Sequence, residues 1–311
     1  MNLLIKELQE GDKFSIQAIV ANLSRGVNAT GAPYLNIELR DSSVSISGKK
    51  WDSTEKDEEV FVVVNIVEVL IEVIKYRESL QAKIISAKKI SEEEVDVSRF
   101  VMAPPISKEE LVKRFDSMVE SVKNSDCKLL LDYFIKKYAK KLYDAPAATS
   151  VHHEFSSGLI MHSVFMAENC DFVCKQYPDI NRDLLITGAL LHDFGKMIEL
   201  EGPAVYRYSL EGKLIGHISI MCSELKKAAE ELNITSEVPL LLEHMILSHH
   251  GKLEFGSPVL PLTKEALILS IIDLLDSKIM IVSKALDATK PGEFTSKIFH
   301  IDNCSFYKPK E

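Results

Sequence analysis

The 311-residue sequence lacks a basic excess: 37 Lys and Arg stand against 46 Asp and Glu, a net charge of −9. Affinity for polyanions in general comes from basic surface. A general polyanion binder is therefore excluded, and any groove for nucleic acid has to be locally basic or metal-assisted. Paired cysteines are also missing. Cys127, Cys170, Cys174, Cys222 and Cys304 form no Cys-x-x-Cys, and most sit in apolar, helical-looking stretches. They read as reduced intracellular thiols packing as small hydrophobes, not as a disulfide framework or a structural zinc site. No run is both long and apolar enough to span a bilayer, and Met1-Asn-Leu-Leu-Ile-Lys-Glu7 lacks the basic start and apolar core of a signal peptide. The expectation is a cytoplasmic protein with no membrane partner. There is no internal repeat, low-complexity tract or lipidation signal.

What is present changes character near residue 100. The chain is longer than a usual single domain, which favours two. Before residue 100, short Val- and Ile-rich segments alternate with Gly, Asn and Asp turns: 14–23, 34–40, 44–47, 59–69 and 79–87 read as strands. Five short strands in some ninety residues suit a small all-β barrel over residues 1–90. Residues 91–107 combine charge with the pair Pro104-Pro105 and read as an extended linker. Ser107-Lys-Glu-Glu110 has the Ser-x-x-Glu capping pattern, and two helices are predicted up to about Tyr143, with Pro146 as a stop. The remainder, residues 108–311 with a core at about 146–290, is predicted to be an all-α bundle.

That second half carries an ordered series of metal-ligand residue types. His162 lies in the helical stretch 158–168, and His192-Asp193 closes the apolar run 183–191. His217 opens the amphipathic stretch 216–225, His249-His250 ends 239–248, and Asp273 sits within 266–276. Any one of these reads equally well as a hydrogen-bonded core histidine or an exposed aspartate. For all seven that reading is poor, because burying so many polar groups in apolar helices without a shared partner costs several kcal/mol. Five helices would each point one or two ligands at a common centre. His244 and His300 fit no such pattern and read as structural.

The order His, His-Asp, His, His-His, Asp resembles that of the HD-domain metal-dependent phosphohydrolases, in the variant with ligands for two metals. The strings 152–162, Leu190-Leu-His-Asp-Phe-Gly-Lys196 and Ile246-Leu-Ser-His-His-Gly251 sharpen the match. With the N-terminal half, the chain resembles the YhaM-type 3′-to-5′ exoribonucleases, in which an OB-fold nucleic-acid-binding barrel precedes an all-α HD domain. The resemblance implies a bridging Asp193, with His162, His192 and Asp273 on one ion and His217, His249 and His250 on the other. Two such ions lower the pKa of a shared water and stabilise charge on the attacked phosphate. Imidazole-rich shells suit Mn²⁺, Fe²⁺, Co²⁺ or Zn²⁺ better than Mg²⁺, and family behaviour puts Mn²⁺ first. Asp193, Lys196 and His217 are the expected catalytic residues. Lys196 offers a point charge for a phosphate oxygen, and His152, His153, Asp276 and Lys278 are candidate substrate contacts. A surface role for Lys196 and a turn-stabilising role for His152-His153 are the plainer readings.

In the barrel, Leu35, Ile37 and Leu39 alternate with Tyr34, Asn36, Glu38 and Arg40. One face is core, and the other offers an aromatic ring, an amide and a guanidinium. Lys49, Lys50 and Trp51 are expected to extend that face, with Tyr34, Arg40, Lys50 and Trp51 as contacts for single-stranded nucleic acid. From the residues alone, Tyr34 and Trp51 read as edge packing. The resemblance favours binding, because 28–41 and Lys50-Trp-Asp52 look like the family's strand-turn-strand signature. One departure is that no glycine follows Asp41.

The implied activity is removal of nucleotides from the 3′ end of single-stranded RNA, and of DNA as a further substrate, releasing nucleoside 5′-monophosphates. The alternatives are an HD phosphohydrolase acting on a nucleotide or cyclic dinucleotide, and a non-catalytic nucleic-acid-binding protein. Homo-oligomerisation through a barrel edge, with strand 59–69 as the pairing segment, is a further expectation.

Overall fold

The computed structural model describes residues 3–76, 79–95, 97–100, 105–145, 156–202 and 206–310. The chain divides into two compact units, residues 1–103 with 202–207, and residues 104–201 with 208–311.

In the first unit, β1 (Lys13–Val27), β2 (Pro33–Arg40), β3 (Ser45–Trp51), β4 (Ile66–Tyr76) and β5 (Ser79–Lys89) close a barrel in the order β1-β2-β3-β5-β4. All pairs are antiparallel except the short parallel contact of β3 with β5, at Gly48↔Ala82 and Lys49↔Lys83. This is a five-stranded barrel of OB type. Period-two alternation turns Ile16, Ala18 and Val20, then Leu35, Ile37 and Leu39, then Val67, Val69, Ile71 and Val73 into one apolar core.

Three features depart from the expectations. Of residues 59–69 only 66–69 are strand; 59–60 end a short helix, α1 (Glu55–Val60), that Thr54 starts by a reciprocal cap with Asp57. Glu55, Asp57 and Glu58 then fill its first turn, where the helix dipole favours them. The strand begins only at Ile66, and β4 is paired on both sides by β1 and β5, so it offers no edge to a second subunit.

The missing glycine after Asp41 is explained by the Asp41 side chain. It accepts from the backbone of Ile5 at 2.6 Å, from the backbone and hydroxyl of Ser43 and from the backbone of Val44. A buried carboxylate closes this turn without a left-handed residue.

The segment predicted as an extended linker is packed at Val95 and Phe100. Phe100 is buried against Ile19, Ile66 and Ile90, and the Ser42 N–H donates to the Arg99 carbonyl. Its apolar residues outweigh its charge.

The second unit is helical: α2 (Lys108–Ser121), α3 (Ser125–Tyr138), α4 (Gly158–Gln176), α5 (Arg182–Leu191), α6 (Lys196–Glu199), α7 (Leu210–Ile215), α8 (His217–Glu231), α9 (Val238–Ser248) and α10 (Lys264–Asp287). Ser107 caps α2 as its pattern predicts, and Asn124, Asn181, Ser209 and Thr263 cap α3, α5, α7 and α10. The core of the unit is α4 and α5, buried nearly all round, with α2, α9 and α10 packed against them. Cys127, Cys170, Cys174 and Cys222 are buried as small hydrophobes. No helix among the described residues is long and apolar enough to cross a membrane.

Candidate metal centre

The bundle brings the predicted ligands together. His162 comes from the first turns of α4, and His192 caps the C-terminus of α5 with Asp193 next in the turn. His217 opens α8, His249 ends α9 with His250 following, and Asp273 lies on α10. Asp193 is at the middle, buried. Its Oδ2 lies 3.6 Å from His162 Nε2 and 3.5 Å from His192 Nε2, while its Oδ1 lies 3.4 Å from His217 Nε2 and 3.7 Å from His249 Nε2. Asp273 Oδ1 is 3.3 Å from His162 Nε2. Two groups, His162-His192-Asp193 and His217-His249-His250, each gather donor atoms within 4.8 Å of one another and could hold a metal ion.

Ring orientation makes this more than proximity. Each imidazole is held from behind at Nδ1: His162 by Asp276 at 2.7 Å, His192 by the Ala189 carbonyl at 2.9 Å and His217 by Glu199 at 3.1 Å. The Ile246 carbonyl holds His249 at 2.7 Å, and the Phe255 carbonyl holds His250 at 2.8 Å. Carbonyls and carboxylates accept only, so these contacts place a proton on Nδ1 and, except at His162, whose Nε2 also faces the Asp273 carboxylate, leave Nε2 as the lone-pair atom. In metal sites, partners of this kind fix the tautomer and the ring angle. The fit is tested by the atoms left over. Asp193 Oδ1, His217 Nε2 and His249 Nε2 are buried without a hydrogen-bond partner among the described residues. Each such orphan costs about 1–3 kcal/mol. A divalent cation satisfies all three, so the residues present fit the group.

The electrostatics agree. Burial opposes charge on Asp193, but Lys196 and the surrounding imidazoles outweigh it and hold the carboxyl well below its ordinary range. Burial and the neighbouring His192 and His250 keep His249 neutral, as a ligand must be. His162 is the exception: burial lowers it, but hydrogen bonds to Asp273 and Asp276 prevail and push it up to about 10. A cation entering there displaces a proton. Lys196 begins α6 and donates to Asp193 Oδ2 at 2.7 Å, which keeps its ammonium charged despite burial.

Not every expected residue joins the cluster. Asp276 does so, behind His162. Lys278 does not, because at 3.6 residues per turn it lies about 140° round α10 from Asp273. His152 and His153 lie outside the described residues. His244 accepts from the Leu262 N–H. Glu199 was missed. Its Oε1 accepts from both the backbone N–H and Nδ1 of His217. The signal available was a lone acid inside the apolar run Met197-Ile-Glu-Leu200. Gly195 and Gly212 permit this fit, since a Cβ on either would come within 2.2–2.3 Å of the His217 or Glu199 carbonyl.

On the barrel, Tyr34 faces Trp51 across the β2–β3 ladder, with ring centroids 4.9 Å apart. The cation joining them is Lys49, whose Nζ lies 5.1 Å from each ring. Lys50 alternates to the other side, its side chain 17% exposed and 4.0 Å from Asp57. Of the two lysines expected on this face, Lys49 lies there and Lys50 does not. Arg40 is at the far end of β2, opposite Ser45. A cavity of about 300 Å³ between these ends is lined by Asn22, Asn36, Ser47, Lys49 and Gln81 among others.

A helical bundle whose histidines and aspartates converge in this order defines an HD-type site, and the HD domain model matches residues 159–278. The 3′-5′ exoribonuclease YhaM of Geobacillus sp. (strain WCH70) is 43% identical over 306 residues, which cover 98% of this chain and 94% of that one. The chain belongs to the YhaM family. Among solved structures, the second OB-fold domain of replication protein A from Methanococcus maripaludis is 23% identical. It covers 30% of this chain and 97% of that one, with a TM-score of 0.25. A crystal structure of a domain of the same protein is 24% identical, covers 29% and 96%, and has a TM-score of 0.25.

Proposed function

We propose that the protein is a divalent-metal-dependent 3′-to-5′ exoribonuclease that shortens single-stranded RNA to nucleoside 5′-monophosphates and also accepts single-stranded DNA. The observation that carries this reading is the division of the two Asp193 oxygens between two imidazole groups. It supports a dinuclear site bridged by Asp193, with His162, His192 and Asp273 on one side and His217, His249 and His250 on the other. The donor set suits Mn²⁺, Fe²⁺, Co²⁺ or Zn²⁺, and we take Mn²⁺ first. When bound, such a pair of ions activates water near neutral pH and stabilises charge on the attacked phosphate.

The chain's own residues do the rest. Asp276 and Glu199 fix the rings of His162 and His217, so that the Nε2 atoms need no reorganisation. Lys196, poised on Asp193, supplies a positive point charge to a non-bridging oxygen of the scissile phosphate. On the barrel, the Tyr34-Trp51 pair with Lys49 offers stacking surface and one cation to bases upstream, which suits binding without strong sequence preference.

The test is digestion of 5′-labelled single-stranded RNA and DNA with Mn²⁺, comparing wild type, Asp193→Ala and wild type with EDTA. Shortening from the 3′ end, absent in the mutant and chelator lanes, is the expected result. Intact RNA under several metals, with metal still bound to wild type, sinks the reading and favours a small phosphorylated substrate.

A further inference from the structure

The closed barrel has no edge strand to offer a second copy, yet the bundle presents an apolar surface that no described residue covers. Leu267, Ile271, Leu274, Leu275 and Ile279 of α10 are 51, 56, 39, 48 and 53% exposed. The opposite face of the same helix buries Ala266, Leu269, Ile272 and Asp276 and carries Asp273 to the metal centre. The helix therefore has two faces to cover, and the described residues cover one. A heptad spacing runs through this face at Ile271 and Leu275. With Lys264 and the half-buried Ile268, Lys278, Val282 and Ala285 they recur at intervals of 4, 3, 4, 3, 4 and 3 residues. That is the spacing by which one helix seats its side chains in the grooves of another.

We propose that α10 packs against α10 of a second copy of this chain, antiparallel, about a two-fold axis near Leu275. The five exposed aliphatic side chains present roughly 400 Å² of apolar surface, about the size of the largest patch on a typical monomer. Leu262, Val282 and the stem of Lys278 extend it toward the roughly 800 Å² that each partner gives to a standard interface. Charge sets the direction. Parallel pairing would lay Lys264 on Lys264 and Lys278 on Lys278, and like charges at a seam are destabilising. Antiparallel pairing separates them and sets Ile271 beside Ile279 and the Lys278 stem. It also opposes the two helix dipoles. A membrane is a poorer occupant, because the seam lacks the flanking basic cluster that draws an amphipathic helix to anionic lipid.

The test uses the full chain. Sedimentation velocity over a concentration series is expected to show a wild-type dimer or a higher oligomer built on it. Ile271→Asp/Leu275→Asp, with unchanged helical circular dichroism, is expected to lose this contact. A second measurement does not depend on a disruptive variant. In a Cys304→Ser background, Leu275→Cys lies at the axis and should cross-link between copies on oxidation. Leu267→Cys, about 24 Å from its counterpart at 1.5 Å per residue, should not. A wild type monomeric throughout, an oligomer unchanged in the double variant, or equal cross-linking at both positions overturns the proposal. So does monomeric protein that binds phosphatidylcholine–phosphatidylglycerol vesicles through Ile271 and Leu275.

Discussion

Glu199 holds His217 twice: its Oε1 is 3.0 Å from the backbone nitrogen of His217 and 3.1 Å from Nδ1. Without it, the ring that opens α8 is free to turn, and Nε2 loses its aim at Asp193 Oδ1. Glu199→Ala is expected to weaken divalent-metal affinity by about 10–100-fold, the usual cost of losing such a partner. Glu199→Gln keeps an acceptor oxygen and should recover most of it. Calorimetric titration of chelator-stripped protein with Mn²⁺ measures this without reference to turnover, and equal losses in both variants would refute a positioning role.

Lys196 separates chemistry from metal binding. Its ammonium is 2.7 Å from Asp193 Oδ2 and nearly buried. Lys196→Met removes a cation that competes for Asp193, so metal affinity should hold or rise. Turnover should drop by about 10²–10³-fold, as when one preorganised donor to a developing charge is lost. Stripped protein should lose thermal stability, because Asp193 is then a buried carboxylate without its partner, and added Mn²⁺ should restore it. Unchanged turnover in rapid-quench single-turnover assays would assign Lys196 to stability alone.

The candidate ligands were legible because ligand types are written directly in the chain, on helices whose apolar period is clear. His162, His192, Asp193, His217, His249, His250 and Asp273 all converge. What was hidden depended on chain direction and local turns. Glu199 reaches His217 only because α6 and α7 fold back through Gly195 and Gly212, a path with no period to read. Lys50 was placed on the face with Lys49 because strand parity is exact only once the register with Tyr34 is known. Residues 59–69 have strand composition, but the Thr54-Asp57 cap draws 59–60 into α1, and the strand starts only at Ile66. The Asp41 turn was underread because a carboxylate replaced the glycine.

The barrel face can be tested at Trp51. With Tyr34 and Lys49 it forms one three-part surface. Trp51→Ala is expected to weaken binding of a long single strand by about 1–3 kcal/mol, the worth of one stacked base. Lys49→Gln should flatten the salt dependence by nearly one ion. Cleavage of a dinucleotide should be unaffected. Fluorescence anisotropy at several salt concentrations, alongside dinucleotide turnover, tests both points. A dinucleotide defect in Trp51→Ala would mean that the residue supports folding instead.

Glu224 supplies a pH dependence remote from the metal centre. It is nearly buried on α8 and accepts from Lys137, from the Tyr138 hydroxyl at 3.0 Å and from Lys227 at 3.2 Å. Burial raises its pKa, but these three partners outweigh burial and hold it below its ordinary value. The folded state therefore binds this proton less readily than the unfolded chain. The resulting stability is fully present above the unfolded carboxyl value of about 4.3 and is lost as pH falls through the lower, folded value. Glu224→Gln should cost about 1–3 kcal/mol at neutral pH, because Lys137 keeps its charge and loses the opposite charge it is paired with. The difference from wild type should shrink as pH falls through that acid window. Urea unfolding at neutral pH and at successively lower pH gives the comparison. A deficit that stays constant with pH would show that the carboxylate contributes packing and hydrogen bonding but no charge linkage.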